Sequence, residues 1–341
     1  MTRTHHTGPA IVTRGLTRHF TTRKQTVEAV RGLDLEIGQG ELVAFLGPNG
    51  AGKSTTLRML TTLIQPTSGS ATVAGHDVVT GQREVRGAIG YVGQGNGAGH
   101  QQRGRDELIS QGRAYGLSRT AARARAAELV DSLDLGAVAD RKVSTLSGGQ
   151  RRRLDIAMGL VHLPRVLFLD EPSTGLDPQN RANLQELVRQ LHSETGSTVV
   201  LTTHYLEEAD ALADRVIVVD HGRMIADDTA HRLKSGLGDL VRLGFSSPEA
   251  AGAAAARASR LDGSRVEVEG DEVSLRVAAG SELVAELVGD LAAAGVPVAR
   301  LEVRRPTLDD VFLDLTGRSL RESETTDQPD SQTASESEVA A

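Results

Sequence analysis

The spacing of apolar residues along the chain predicts an α/β fold. Short apolar runs with the length and composition of buried strands recur in the first two thirds of the 341-residue sequence, at 42–46, 89–92, 166–169, 197–201 and 215–219. Helical patterns separate the later runs, as expected for a parallel sheet covered by helices. The apolar alternations within residues 11–46 predict an antiparallel start to the fold.

Two stretches depart from this alternation of strands and helices. Residues 104–139 carry Ala, Arg, Leu and Glu at helical spacing, which predicts an inserted helical subdomain bounded at about 96–160. Residues 66–90 are rich in turn-forming residues and predict a turn-rich segment. Both stretches interrupt the parallel sheet without ending it.

The pattern changes again beyond about residue 236. Strand and helix patterns then follow in the order β-α-β-β-α-β, at 240–245, 248–259, 265–269, 272–277, 281–294 and 298–303. This order predicts a small ferredoxin-like α+β domain over 240–318. Its strands carry no convergent acids, histidines or glycine-rich loop, so we expect a packing or dimerisation role for it.

A glycine-rich loop lies between the first buried strand, 42–46, and a predicted helix at 54–63. It has the complete pattern G-x-x-x-x-G-K-[ST] and, with the residue that follows, consists of Gly47, Pro48, Asn49, Gly50, Ala51, Gly52, Lys53, Ser54 and Thr55. Small residues let backbone N–H groups surround a polyphosphate, while the lysine adds a charge and the serine a hydroxyl for Mg²⁺. The loop therefore predicts a nucleotide triphosphate as ligand.

A second part of the site follows the buried strand 166–169, which ends in Asp170 and Glu171. Adjacent acids at a strand end point to different sides, so one can support Mg²⁺ and the other can orient a water for attack. Apolar strands that end in Asp are frequent, so this pair indicates a nucleotide site only because the chain also contains the phosphate loop. Together the two motifs predict nucleotide hydrolysis.

Further motifs lie between and after these two. They are Gln94 after Tyr91-Val92-Gly93, Leu146-Ser147-Gly148-Gly149-Gln150, Ser173-Thr174-Gly175-Leu176-Asp177, and His204 after Thr202-Thr203. A Ser-Gly-Gly turn at a helix start is a further place that can receive an anion. In this order and spacing, the motifs resemble the ATP-binding cassette of ABC transporters over residues 10–235.

The resemblance implies a role for each matching residue. Phe20 would stack on adenine, Lys53 and the loop amides would hold the phosphates, and Glu171 would polarise the attacking water. His204 would contact the γ-phosphate and keep Glu171 aligned. The implied Mg²⁺ contacts are Ser54, Gln94 and Asp170.

In such cassettes two copies enclose two ATP molecules head to tail, so the resemblance implies a homodimer. Ser147, Gly148, Gly149 and Gln150 would cap the nucleotide held by the other copy. A separately encoded membrane permease is the second implied partner, reached through the loop 95–102 and the Arg-rich helical subdomain. That loop is glycine-rich and polar where relatives carry bulkier residues.

The end of the predicted C-terminal domain indicates a subfamily within this family. Residues 306–317 resemble the C-terminal motif of the daunorubicin-resistance subfamily of drug exporters, which usually has Glu where Asp310 stands. Residues 155–164 also resemble that group. The resemblance implies efflux of a drug or another hydrophobic small molecule.

Composition excludes several other classes. The chain has no cysteine, so it forms no disulfide or thiolate metal site, and no apolar run is long enough to cross a bilayer. Of the net charge of −7, −5 falls in residues 321–341, within a segment 319–341 that we predict to be a disordered acidic tail. The nearly neutral remainder argues against nucleic-acid binding, and we interpret Arg151–Arg153 as a solvated face with intersubunit contacts.

We therefore expect a peripheral protein on the cytoplasmic face of the cell membrane. Two alternatives stay open at the level of sequence. A soluble ABC ATPase that acts on ribosomes or DNA would typically have two cassettes or a long coiled-coil insertion. An importer ATPase would more often carry an all-β regulatory domain than the β-α-β-β-α-β pattern.

Overall fold

The computed structural model describes residues 8–21, 25–95, 97–99, 101–259, 265–277 and 280–319. The chain separates into two compact units, with the boundary between Asp227 and Asp228. Apart from Ser319, the segment expected to be a disordered acidic tail lies outside the described residues.

A six-stranded sheet forms the centre of the first unit. Its strands, in spatial order, are β10 (Arg223–Asp228), β9 (Arg215–Asp220), β3 (Leu42–Leu46), β8 (Thr198–Thr203), β7 (Val166–Asp170) and β6 (Ile89–Val92). Every pair from β9 to β6 is parallel, and β3 and β7 are buried along their whole length. Burial on both faces explains their unbroken apolar runs. The five predicted strands are confirmed; β10, which is half-exposed and mixed in polarity, was not predicted.

A four-stranded antiparallel sheet packs into the same apolar core. In spatial order it contains β2 (Thr26–Ile37), β1 (Ile11–Thr21), β4 (Ser68–Val73) and β5 (His76–Asp77). The turn-rich reading of 66–90 was wrong for β4 and for helix α2 (Gln82–Ala88). Ala71 and Val73 are buried and pair with β1. The small polar residues of β4 gave no strand pattern, so this strand forms because of its tertiary pairing.

Six more helices belong to the first unit. They are α1 (Lys53–Leu60), α3 (Gly104–Ala114), α4 (Arg119–Ser132), α5 (Gly148–Leu160), α6 (Pro178–Thr195) and α7 (Leu206–Leu212). Helix α3 packs against α4 and α5, in the segment expected to be helical. Helix α1 ends before the predicted Leu63, because Thr62 adopts a positive φ of 62° that a right-handed helix cannot contain. No helix in the described part of the chain combines the length and apolar character of a membrane span.

The second unit has its own sheet and its own core. The sheet order is β12 (Arg265–Glu269), β13 (Glu272–Val277), β11 (Asp239–Gly244) and β14 (Arg300–Arg304), with all neighbours antiparallel. Its helices are α8 (Ala230–Ser235), α9 (Pro248–Ala258), α10 (Gly280–Ala293) and α11 (Leu308–Thr316). Helix α8 packs against α11 and groups with this unit.

Asp310 joins the first turn of α11 to the sheet of the second unit. Its Oδ2 accepts hydrogen bonds from the backbone N–H and the hydroxyl of Thr307, at 2.9 and 2.7 Å. Its Oδ1 accepts from Arg276 at 3.1 Å and from Arg304 at 2.9 Å. Burial raises the pKa of Asp310, but these hydrogen bonds and charges outweigh it and leave the pKa below its usual value.

Candidate active site

Two positions in the loop between β3 and α1 require glycine. Gly52 has a φ of 101°, and a Cβ atom there would lie 2.3 Å from the carbonyl oxygen of Ala29. A Cβ atom at Gly47 would lie 2.1 Å from the carbonyl oxygen of Val219. Neighbouring backbone therefore confines the loop on two sides and fixes its curve over the start of α1.

Lys53 is the first residue of α1 and curls back over the loop. Its Nζ donates hydrogen bonds to the carbonyl oxygens of Gly47, at 2.6 Å, and Pro48, at 2.9 Å, and the residue is 4 % exposed. A nearly buried ammonium group at a helix N-terminus provides both a full and a partial positive charge. This end of α1 can therefore receive a polyphosphate.

Polar side chains from α1 and from several strand ends meet beside the loop. The hydroxyl of Ser54 donates to Oδ1 of Asp170 at 2.8 Å, and Nε2 of Gln94 donates to the Ser54 hydroxyl at 3.3 Å. Asp170 also accepts from Thr202 at 2.7 Å and from the Tyr91 hydroxyl at 3.3 Å. These contacts hold the Asp170 carboxylate, which is fully buried, in one orientation.

Glu171 lies one residue further on, at the carboxyl end of β7. Oε1 is 3.9 Å from Nζ of Lys53, Oε2 accepts from the Thr174 hydroxyl at 3.1 Å, and Oε2 is 3.6 Å from Nδ1 of His204. His204, followed by Lys53 and Thr174, lowers the pKa of Glu171 against the raising effect of burial. The residue also has a positive φ of 45°, a strained conformation of the kind that recurs at functional sites. The lowered pKa thus favours the ionised carboxylate of Glu171.

These elements enclose one open cleft. It is lined by residues 49–55, Gln94 and Glu171. Loop residues, cation, hydroxyl and carboxylate therefore converge at the carboxyl edge of the parallel sheet, where ligands bind in open α/β sheets. Phe20 and Ser147–Gln150 are not among the lining residues.

The Ser147 turn forms the start of α5. The Ser147 hydroxyl accepts from the backbone N–H of Gln150 at 3.3 Å, and Oε1 of Gln150 accepts from the backbone N–H of Ser147 at 3.0 Å. This capping box satisfies two N–H groups and leaves Ser147 and Gly148 exposed. The turn is consequently accessible to another molecule.

Comparison with known proteins assigns the family. The family model described as "ABC transporter" matches residues 30–174. The chain is 44 % identical to the daunorubicin/doxorubicin resistance ATP-binding protein DrrA of Streptomyces peucetius, over 90 % of this chain and 92 % of that protein. It is 45 % identical to the daunorubicin resistance ATP-binding protein DrrA3 of Streptomyces coeruleorubidus, over 87 % and 94 %. The chain belongs to the ABC transporter family.

A solved structure agrees with this assignment. The ATP-binding cassette MJ0796, in a dimeric post-hydrolysis state bound to ADP and Pi, matches with a TM-score of 0.59 and 26 % identity, over 64 % of this chain and 98 % of that chain. The chain is therefore an ATPase with the ABC cassette fold. The expected resemblance to ABC transporters and to the daunorubicin-resistance subfamily is confirmed.

Phe20, the expected adenine contact, lies on β1 opposite Val27 of β2. It is 38 % exposed, and the guanidinium carbon of Arg18 lies 4.6 Å from its ring centroid. The ring is accessible to a ligand, but Arg18 occupies part of the space above it. A stacking role in this ABC protein stays a prediction.

Arg152 corrects the expected solvated face at 151–153. It is buried and donates to the carbonyl oxygens of Pro172, Gly93 and Asp170, at 2.8, 2.6 and 3.2 Å. It therefore ties the helix that begins at Ser147 to the segments that carry Gln94 and Glu171. Helical spacing could have revealed this, since Arg152 shares a face of α5 with the buried Ile156, four residues away.

Asp155 is a second residue whose role the sequence analysis missed. Its Oδ1 accepts from the backbone N–H groups of Gly97 and Ala98, both at 3.1 Å. Burial raises the pKa of Asp155, and these two hydrogen bonds oppose the effect. These hydrogen bonds anchor the glycine-rich loop after Gln94 to α5.

Proposed function

We propose that the chain is the ATP-hydrolysing subunit of an ABC exporter. It powers the efflux of a drug or another hydrophobic small molecule through a separately encoded membrane permease. The observation that carries the proposal is the convergence of Lys53, Ser54, Gln94 and Glu171 on one cleft. Behind them, the buried carboxylate of Asp170 accepts a hydrogen bond from Ser54. The efflux of drugs is supported by the drug-resistance names of the two relatives.

In the proposed site, residues 47–55 cradle the triphosphate of ATP. Backbone N–H groups of the loop and the start of α1 point at the phosphates, and Lys53 adds its charge. Hydrogen bonds to the carbonyl oxygens of Gly47 and Pro48 keep the ammonium group of Lys53 at the loop. Removing the charge should therefore weaken binding as well as hydrolysis.

Mg²⁺ is proposed to bind beside the same phosphates. Ser54, Gln94 and Asp170 carry hydroxyl, amide and carboxylate oxygens, the hard donors that this ion prefers. The Ser54 hydroxyl connects the three residues, because it donates to Asp170 and accepts from the amide nitrogen of Gln94. When bound, the ion neutralises charge that develops on the phosphates. Tyr91 and Thr202 hold the Asp170 carboxylate in place for this purpose.

Glu171 is proposed to act as the general base, and His204 to contact the γ-phosphate. The low pKa of Glu171 keeps it ionised at neutral pH, and Thr174 and His204 restrict its orientation. A base in this position can orient a water and accept its proton. We assign His204 the further task of keeping that base aligned.

We further propose a head-to-tail homodimer. Ser147, Gly148, Gly149 and Gln150 would cap the γ-phosphate of the ATP held by the partner copy, which agrees with the exposure of Ser147 and Gly148 away from the cleft lining. Phe20 would stack on adenine. ATP bridges the halves, and its hydrolysis releases them, as in other nucleotide-controlled associations.

The remaining proposals concern organisation and location. We propose a cassette over residues 10–235 with a helical subdomain at about 96–160, and a ferredoxin-like domain over 240–318, supported by the strand order β12-β13-β11-β14. The cassette would sit at the cytoplasmic face of the cell membrane by contact with its permease. We propose no nucleic-acid partner.

Co-expression with the neighbouring permease gene tests the proposal. Inverted membrane vesicles that contain both proteins should accumulate a fluorescent anthracycline when ATP and Mg²⁺ are supplied. Vesicles with the Glu171→Gln variant provide the control. Transport that is independent of ATP, or purification of the chain on ribosomes without a membrane protein, would contradict the exporter assignment.

A further inference from the structure

Glu208 is a buried carboxyl group that the proposed site does not use. It lies in the first turn of α7 and is 1 % exposed. Among the described residues, neither of its oxygens accepts a hydrogen bond of ordinary geometry. A buried carboxyl group without such partners is costly and therefore calls for a reason.

Two buried hydroxyl groups from different segments, those of Ser173 and Thr203, lie close enough to this carboxyl group to interact with it. Ser173 belongs to the turn that follows Glu171, and its hydroxyl also lacks a hydrogen-bond partner within the part of the chain described. Thr203 directly precedes His204, and its hydroxyl accepts from the backbone N–H of Tyr205 at 2.9 Å. Glu208 thus lies between two segments of the proposed site. One is the turn that follows Glu171 and contains Ser173, and the other is the strand end that contains Thr203 and His204.

The charged groups around Glu208 come from three elements. Burial raises the pKa of Glu208, against hydroxyl contacts from Thr203 and Ser173 and the charges of Arg181 on α6 and His204 after β8. Arg152 on α5 is also close enough to interact with it. A raised pKa favours the neutral acid, which has an O–H group that can donate.

An aromatic contact connects helix α6 to the segment that carries His204. The guanidinium carbon of Arg181 lies 3.8 Å from the ring centroid of Tyr205, and that ring is 4.1 Å from the ring of His204. Helix α6, which follows the turn after Glu171, is therefore in contact with the segment of His204 through Tyr205.

We propose that Glu208 is a positioning residue for ATP hydrolysis, which acts through His204 by fixing the Thr203–His204 strand end against the Ser173 turn. The inference rests on the proposed roles of Glu171 and His204. Glu208 does not touch the nucleotide in this scheme. Its carboxyl group sets the distance between His204 and Glu171, which is 3.6 Å between Nδ1 and Oε2.

Steady-state ATPase kinetics of full-length variants test the proposal. Glu208→Ala should lower kcat by about tenfold or more while KM for ATP stays within about twofold, since the group affects the chemical step and not binding. Glu208→Gln should keep kcat within about threefold of wild type, because the amide has the shape and neutrality of the protonated acid. Glu207→Gln, an exposed neighbour on α7, is the matched control.

A double-mutant cycle with His204→Ala separates positioning from a structural role. If Glu208 acts through His204, Glu208→Ala should add little to the loss that His204→Ala already causes. An equal additional loss in that background would overturn the proposal, as would wild-type kcat in Glu208→Ala. If Glu208→Ala fails to fold, Ser173→Ala removes the opposite side of the same contact, and an unchanged kcat there would also overturn it.

The wild-type control distinguishes the two levels of the argument. If wild-type protein fails to hydrolyse ATP or Glu171→Gln has no effect, the proposed function fails. If both behave as expected while Glu208→Ala is indistinguishable from wild type, only the role of Glu208 fails.

Discussion

Nδ1 of His204 lies 3.6 Å from Oε2 of Glu171. The register between β7 and β8 explains this proximity, since Asp170 is paired with Thr202 and both strands run in the same direction. A carboxylate and an imidazole more than thirty residues apart in the sequence therefore meet at the edge of the sheet.

Replacing Glu171 by Gln should retain ATP affinity and lower turnover by about 10²–10⁴, because the amide keeps the shape but cannot accept a proton. The variant should also accumulate a dimer with ATP and Mg²⁺, measured by light scattering after gel filtration. Glu186→Gln, at an exposed carboxylate on α6, is the control. Normal turnover in Glu171→Gln would remove this residue from the mechanism.

Replacing Lys53 by Ala should weaken both ATP binding and hydrolysis. The ammonium group is held at the phosphate loop, where it would contact phosphate in the ground state as well as in the transition state. Binding can be measured with a fluorescent ATP analogue, with the exposed Lys142→Ala as control. Undiminished binding would count against the assignment of the phosphate loop.

Mixing two inactive variants tests the head-to-tail dimer. Lys53→Ala disables the loop, and Ser147→Arg blocks the turn that would cap the partner's nucleotide. A mixed dimer contains one site with an intact loop and an intact turn, so ATPase activity should reappear on mixing. Lys53→Ala mixed with Glu171→Gln should stay inactive, because both changes affect the same half of a site. No recovery in the first mixture, despite dimer formation, would refute the arrangement.

Arg152→Ala should destabilise the first unit by about 2–4 kcal/mol, because it leaves buried carbonyl oxygens without their donor. Arg153→Ala provides the comparison, since its side chain is 25 % exposed and pairs only with an exposed Asp134 at 3.5 Å. Urea unfolding monitored by circular dichroism measures the difference. Equal stability of the two variants would show that the three hydrogen bonds of Arg152 contribute little.

Asp310→Asn should destabilise the second unit by about 1–3 kcal/mol at pH 7, since two arginines lose their carboxylate. The folded pKa of Asp310 is lowered, so its contribution is present above the unfolded pKa and is lost as pH falls through the folded value. Wild type should therefore lose more thermal stability than Asp310→Asn between neutral pH and pH 3. The exposed Asp314→Asn is the control, and parallel acid profiles would contradict the prediction.

Local sequence specified the strands of the parallel sheet and the phosphate loop, because a buried strand needs an apolar run and a polyphosphate needs glycine and lysine at fixed spacing. It did not reveal β4, whose burial depends on β1 more than fifty residues away. The burial of Arg152 was also not predicted, because a run of charged residues does not indicate which of them faces the core. The importance of Glu208 was invisible for the same reason, because its setting is made by segments distant in sequence.

The close approach of Gly52 to Ala29 has a consequence for altering this protein. The carbonyl of Ala29 on β2 occupies the space that a side chain at position 52 would need. In the β9–β10 turn, the N–H of Gly222 donates to the carbonyl of Ala51 at 3.0 Å. The conformation of the phosphate loop therefore depends on both of these neighbouring segments. Insertions or swaps in either neighbour would deform the nucleotide cradle without changing one of its residues. Chimaeras with related cassettes should therefore exchange these three segments as a single block.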